Sequence, residues 1–128
     1  MIVLDASVVI AFLDPNDRHH QRAAGLFEEH AAAGFRMHQL TLAEVLVGAV
    51  RTGRGNQLLD DLTTIGVVTH QSGFNEPLIL AELRASTGLK MPDCCVLAVA
   101  QHESLPLATF DEQLARIARE LGVQTSGS

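Results

Sequence analysis

The sequence predicts an α/β fold, a parallel sheet covered by helices on both faces, and three observations predict it. Short apolar runs alternate with runs of helical spacing along nearly the whole chain, the pattern of strand–helix units. Turn and stop signals fall between them, at Asp14-Pro15-Asn16-Asp17, Gly34, Gly53 and Gly88. The chain has 128 residues, 47% hydrophobic and 19% charged, which suits one ordered domain with a real core.

In chain order, Ile2 to Leu4 reads as a strand leading directly into a helix from Ala6 to Phe12. After the Asp14–Asp17 turn, His19 to Ala33 reads as a helix, with Ala23, Leu26, Phe27 and His30 at helical spacing. Gly34 stops it, and Phe35 to Gln39 suits a second strand. Helices are expected over Thr41 to Val50 and Asn56 to Leu62, with a strand over Gly66 to Thr69. Asn75 and Pro77 open a helix reaching Ser86, and Pro92 opens another reaching His102. Pro106 to Ala108 is the fourth strand, Asp111 to Leu121 the last helix, and Val123 to Thr125 a short closing strand. Residues 1–125 are expected to form one domain, and Ser126-Gly127-Ser128 a flexible tail or cloning remnant.

Composition narrows the function classes. With five Phe and no Trp or Tyr, there is little material for stacking bases on aromatic platforms. A net charge of −6 argues against affinity resting on phosphate neutralisation. That objection weakens if acidic residues belong to a cation site. The cysteines, Cys94 and Cys95, are adjacent within an apolar run, so a structural disulfide is not expected and a reduced, cytoplasmic setting fits. The N-terminus lacks a basic region and carries Asp5 in its first apolar stretch, unlike a signal peptide. No uncharged apolar stretch approaches the roughly 20 residues of a membrane span.

Four acids stand out. Asp5 interrupts MIVLDASVVIAFL, Glu44 interrupts LAEVLVGAV, and Asp93 interrupts MPDCCVLAVA. Asp111 follows the fourth strand as Asp5 follows the first. A carboxylate in apolar sequence is costly unless paired, hydrogen-bonded or bound to a metal. In parallel sheets, ligands bind outside the carboxyl ends of the strands. Helix capping is the competing explanation: Thr41-Leu42-Ala43-Glu44 matches a capping box, Asp111 suits an N-cap, and Asp5 and Asp93 fall in or near first turns. A shared site explains all four with one cause. Oxygen-only ligands select Mg2+ or Mn2+, and such ions suit phosphodiester hydrolysis. Ser7 and Thr109 place hydroxyls two residues from Asp5 and Asp111, where they can hold a carboxylate or act as local caps.

Ile2-Val3-Leu4-Asp5-Ala6-Ser7, Thr41-Leu42-Ala43-Glu44-Val45, Pro92-Asp93 and Thr109-Phe110-Asp111 together resemble the four acidic motifs of PIN domains, and their order resembles the VapC toxins of bacterial toxin–antitoxin pairs. The resemblance covers Ile2 to about Val123. It implies a PIN-like three-layer α/β/α sandwich with a five-stranded parallel sheet. It also implies an endoribonuclease dependent on one or two Mg2+ or Mn2+ ions, with Asp5, Glu44, Asp93 and Asp111 catalytic and metal-binding. RNA as substrate, a VapB-like antitoxin as partner and a homodimer are implied as well. Ala6 stands where a hydroxyl residue is frequent, and Cys94 where Ala is common.

Lys90, Arg18, Arg51 and Arg54 are candidate RNA contacts, Lys90 first because it lies closest to Asp93. His19-His20 is a poor metal pair, since adjacent helical residues diverge. The apolar run Leu42 to Val50 reads as deep burial, a dimer surface or an antitoxin surface. Two other classes remain open: a non-catalytic PIN-like RNA- or protein-binding module, and a receiver-like Mg2+-binding domain. The second needs a Lys at a strand end, and the chain's one Lys, Lys90, is not so placed.

Overall fold

We describe a computed structural model covering residues 1–71, 73 and 75–127. The strands are β1 (Ile2–Leu4), β2 (Phe35–Met37), β3 (Val67–Thr69), β4 (Leu107–Ala108) and β5 (Thr125–Ser126). The helices are α1 (Ala6–Leu13), α2 (His20–His30), α3 (Gln39–Arg51), α4 (Gly55–Ile65), α5 (Glu76–Thr87), α6 (Met91–Glu103) and α7 (Glu112–Glu120). All strand pairs are parallel, in the order β3-β2-β1-β4-β5.

Alternation along the strands separates two cores. Ile2 and Leu4 of β1, with Phe35 and Met37 of β2, pack against residues of α1 to α4. Val3, between Ile2 and Leu4, packs with Leu107 against residues of α5, α6 and α7. Successive strand side chains point to opposite faces, so this partition makes a three-layer sandwich. α6 is buried continuously from Cys94 to Ala100. Each large apolar side chain so buried contributes roughly 1.5–3 kcal/mol. The helix is therefore firmly seated, and Asp93 at its first turn has a fixed place.

β1 is central, with β2 on one side and β4 on the other. The chain leaving β1 goes to the α1–α4 layer, and the chain leaving β4 goes to α7 on the opposite layer. Divergent exits from neighbouring parallel strands open a crevice at their carboxyl ends. Asp5 and Thr109 are the first residues past β1 and β4.

Several boundaries differ from the sequence reading. α3 starts at Gln39 rather than Thr41, because His38 is the N-cap and its Nδ1 accepts from the Leu40 N–H at 3.1 Å. Thr41 is consequently a buried residue inside the helix, and no capping box with Glu44 forms. α2 ends at His30 rather than Ala33, where the N–H groups of Ala33 and Gly34 both turn back to the His30 carbonyl. Val123 does not begin the last strand: its N–H bonds the Ala118 carbonyl at 2.9 Å at the end of α7. β5 lies two residues later, and Ser126, expected in a tail, pairs with Ala108. No helix among the described residues is long and apolar enough to cross a membrane.

Candidate active site

The geometry starts at Asp5. It caps α1, Oδ1 accepting from the Val8 N–H at 3.1 Å and from Ser7 Oγ at 2.6 Å. Its Oδ2 accepts from Thr109 Oγ1, and Thr109 is fully buried at the end of β4. Both hydroxyls singled out in the sequence thus act on Asp5. Thr109 Oγ1 also accepts from the Asp111 N–H at 3.0 Å, and Ser7 Oγ from the Phe110 N–H at 3.4 Å. These bonds tie the loop after β4 to the loop after β1.

Burial raises the Asp5 pKa, opposed by the bonds from Ser7, Thr109 and Val8, while the nearby Asp111 charge adds to the rise. Asp111 is exposed and caps α7, Oδ1 accepting from the Leu114 N–H at 2.9 Å. Asp93, in the first turn of α6, is partly buried. Its pKa is also raised, first by burial, then by Asp111 and Asp5, with Glu44 a further contributor and Lys90 opposing. Glu44 is exposed on α3. Asp93 therefore lies within the field of the other three acids.

Side-chain capping explains only half of the set, and Asp93 keeps the first-turn position that favours a negative charge. Asp5 and Asp111 are N-caps, whereas Lys90 caps α6 and His38 caps α3. No cap accounts for Asp93 or Glu44. The ion pairs among the described residues join Arg36 to Glu103, His38 to Glu76, His70 to Glu103 and Arg116 to Glu120, and none involves the four acids. Among the described residues, no three His, Cys, Asp or Glu side chains converge closely enough to hold a metal ion as they stand. In donor type the set fits a hard divalent cation, because every candidate ligand is a carboxylate oxygen.

Of the basic candidates, Lys90 is exposed and acts electrostatically on Asp93. Arg18 lies on the turn before α2, close to Phe110 through His19: Arg18 Nε donates to His19 Nε2 at 3.2 Å, and the His19 ring stacks on Phe110. Arg51 is the last residue of α3, about two helical turns past Glu44; Arg54 lies just before α4, and its Nε is spent on Thr52 Oγ1. Arg22 and Phe110, not singled out as candidates in the sequence, meet in the same corner as Arg18, the Arg22 guanidinium 5.1 Å from the centre of the Phe110 ring. An aromatic residue set between Thr109 and Asp111 was the available signal. His19 and His20 do not act together, since His20 Nδ1 instead meets the Ala11 carbonyl.

The cysteines are buried and free. Burial pushes the Cys95 thiol up to about 11, with Glu76, Cys94 and Glu44 adding to the rise. Burial raises Cys94 as well, and its Sγ faces the Leu89 carbonyl. Such thiols are poor nucleophiles, so Cys94 is a packing residue here.

A PIN domain model matches residues 2–120. A comparison with curated proteins returned no match. Among solved structures, a toxin–antitoxin complex from Klebsiella pneumoniae is similar, at 23% identity and TM-score 0.68, with 90% of each chain covered. FitAcB from Neisseria gonorrhoeae has 20% identity and TM-score 0.72 over 98% of this chain and 96% of that one. VapBC2 from Rickettsia felis, bound to a DNA fragment from its promoter, has 16% identity and TM-score 0.71 over 98% of both chains. Identities this low speak for a shared fold.

Proposed function

The chain belongs to the PIN domain family, and on that premise we propose that it is a Mg2+- or Mn2+-dependent endoribonuclease, the toxin of a type II toxin–antitoxin pair. One observation carries the reading: Asp93, which caps nothing, sits in the combined field of Asp5, Asp111 and Glu44. These four acids would hold one or two ions. When bound, the metal supplies water activated for attack and neutralises charge on the phosphate.

The chain's own residues set the rest. Asp5 is gripped by three donors, Ser7 Oγ, Thr109 Oγ1 and the Val8 N–H, so its oxygens keep one orientation before any ligand arrives. Asp93 is presented by a helix too deeply packed to shift. Asp111 and Glu44 are exposed, which leaves them able to close on a cation. Lys90, beside Asp93, offers a positive charge to the RNA backbone in an otherwise acidic chain.

An antitoxin and a second copy of the chain are the proposed protein partners. Exposed apolar residues of α1 and α3, namely Ile10, Leu13, Leu40, Val47 and Val50, support such contacts. Ile10 and Leu13 line a groove with Val45, Gly48, Ala49 and Leu58 that includes none of the four acids. The Leu42 to Val50 run is thus partly buried and partly surface. A cytoplasmic location follows from the same reading.

The reading is tested by incubating partner-free protein with RNA in Mg2+ or Mn2+ and in excess chelator. Cleavage should require the metal and leave 5′-phosphate ends. Undiminished cleavage in chelator, with 2′,3′-cyclic phosphate ends, would instead indicate attack by the ribose 2′-OH with histidine acid–base chemistry.

A further inference from the structure

We propose that Arg18 and Arg22, gathered around the stacked rings of His19 and Phe110, form a seat for an RNA backbone phosphate beside the four carboxylates. This rests on the nuclease reading and deepens it, by assigning a part of the chain that positions the substrate strand.

The corner is assembled from two distant parts of the sequence. His19, at the end of the α1–α2 turn, stacks on Phe110 with ring centroids 4.6 Å apart and planes at 23°. The Arg22 guanidinium, from the first turn of α2, lies 5.1 Å from the centre of the Phe110 ring. Phe110 stands between Thr109, which holds Asp5, and Asp111, and its own N–H donates to Ser7. The seat therefore adjoins the acids through one residue.

Hydrogen-bond chemistry gives the corner its ligand. Arg18 Nε lies 3.2 Å from His19 Nε2, and Arg22 Nη1 lies 3.4 Å from His19 Nδ1. Both guanidinium nitrogens are donors, but a neutral imidazole has one lone pair. Either tautomer thus leaves one pair of donors facing each other. A phosphate oxygen accepting from both resolves the opposition. Arg36 and Arg116 are neutralised by Glu103 and Glu120. By contrast, among the described residues the partners of Arg18 and Arg22 are His19, the Phe110 ring and, for Arg22 Nη2, the Gly127 carbonyl. Both arginines are exposed.

The corner reads backbone, not bases. His19 and Arg22 already cover Phe110, so the ring offers no open platform for stacking. Phosphate contacts fix register without carrying sequence information. Losing the two charges should accordingly weaken substrate binding for every RNA sequence and leave the chemical step largely intact.

The test compares wild type with the Arg18→Ala/Arg22→Ala double variant on a labelled oligoribonucleotide, between 50 and 200 mM salt. KM should rise by roughly tenfold to a hundredfold, the effect of removing a charge-assisted hydrogen bond, while kcat changes much less. The slope of log affinity against log salt should flatten by about 0.7 for each phosphate that the variant leaves unneutralised. Arg18→Lys/Arg22→Lys should restore the slope, because charge is kept. Because Arg22 also holds Gly127, Arg18→Ala alone serves if the double variant fails to fold, with the same direction of effect. An unchanged KM and salt slope in an active enzyme overturns the seat, as does a loss confined to kcat. So does loss of inhibition by an acidic protein partner with RNA affinity intact, which would make the corner a protein-binding surface. If wild type does not cleave RNA, the nuclease reading fails. The seat is then judged by fluorescence anisotropy of RNA bound to both proteins, where an equal affinity and slope overturns it.

Discussion

Asp93→Asn should lower metal-dependent RNA cleavage by more than about 100-fold, since even an outer-shell partner of a metal ligand costs about 10–100-fold. Induced in a bacterial host without its partner, wild type should arrest growth and Asp93→Asn should not. Asp93 is the cleanest position for this experiment. It caps no helix and sits on the deeply buried α6, and its surroundings raise its pKa through burial and the neighbouring acids. Asn keeps the shape and removes the charge, so folding should survive. Full cleavage by purified Asp93→Asn would remove this residue from the site. Equal growth arrest by both proteins would remove the toxin role from this chemistry.

Thr109→Val should cost about 1–3 kcal/mol in stability, the penalty for leaving a buried polar group without its partner, and about 10–100-fold in cleavage. Thr109 is fully buried and makes two bonds, donating to Asp5 and accepting from the Asp111 N–H. Val matches its volume and makes neither. Both the Asp5 carboxylate and the Asp111 backbone would lose a partner, at the two strand ends that frame the crevice. Thr109→Ser should recover most of both losses. Ser7→Ala should cost less, because Ser7 is only partly buried and water can replace its hydroxyl. Chemical denaturation with cleavage rates checks this, and wild-type rates in Thr109→Val would mean that the orientation of Asp5 is immaterial.

The order and type of every strand and helix were legible, because apolar period and turn residues report local structure. What was illegible depends on partners distant in sequence. β5 begins at Thr125 rather than Val123 because Val123 is drawn to the end of α7. The start of α3 was misplaced because His38 is an unusual cap, buried and also bound to Glu76. Asp5, Glu44 and Asp93 stood out in the sequence by interrupting apolar runs, and Asp111 by following the fourth strand. Their division into two caps and two residues with no capping role was not legible, since Thr41-Leu42-Ala43-Glu44 imitates a capping box that the fold does not make. Ser7 and Thr109 stood out by position, but that both grip Asp5 depends on β1 and β4 being neighbours. Arg22 and Phe110 gave no local sign of each other, separated as they are by most of the chain.

The central claim is that Asp5, Glu44, Asp93 and Asp111 form one cation site, and thermal melts of wild type and Asp93→Asn with chelator or Mn2+ test it most directly. Asp93 has a raised pKa when folded, so the folded chain holds the proton more tightly than the unfolded chain. Its charge therefore lowers stability as pH rises above the ordinary aspartate value and through the raised one. In chelator at neutral pH, Asp93→Asn should melt no lower than wild type, and any advantage should shrink as pH falls toward the ordinary aspartate range. Mn2+ should raise the wild-type melting temperature, because it binds only the folded site, and should move Asp93→Asn far less. If Asp93→Asn instead melts clearly lower in chelator and Mn2+ moves both proteins alike, the four acids are structural residues and not a shared metal site.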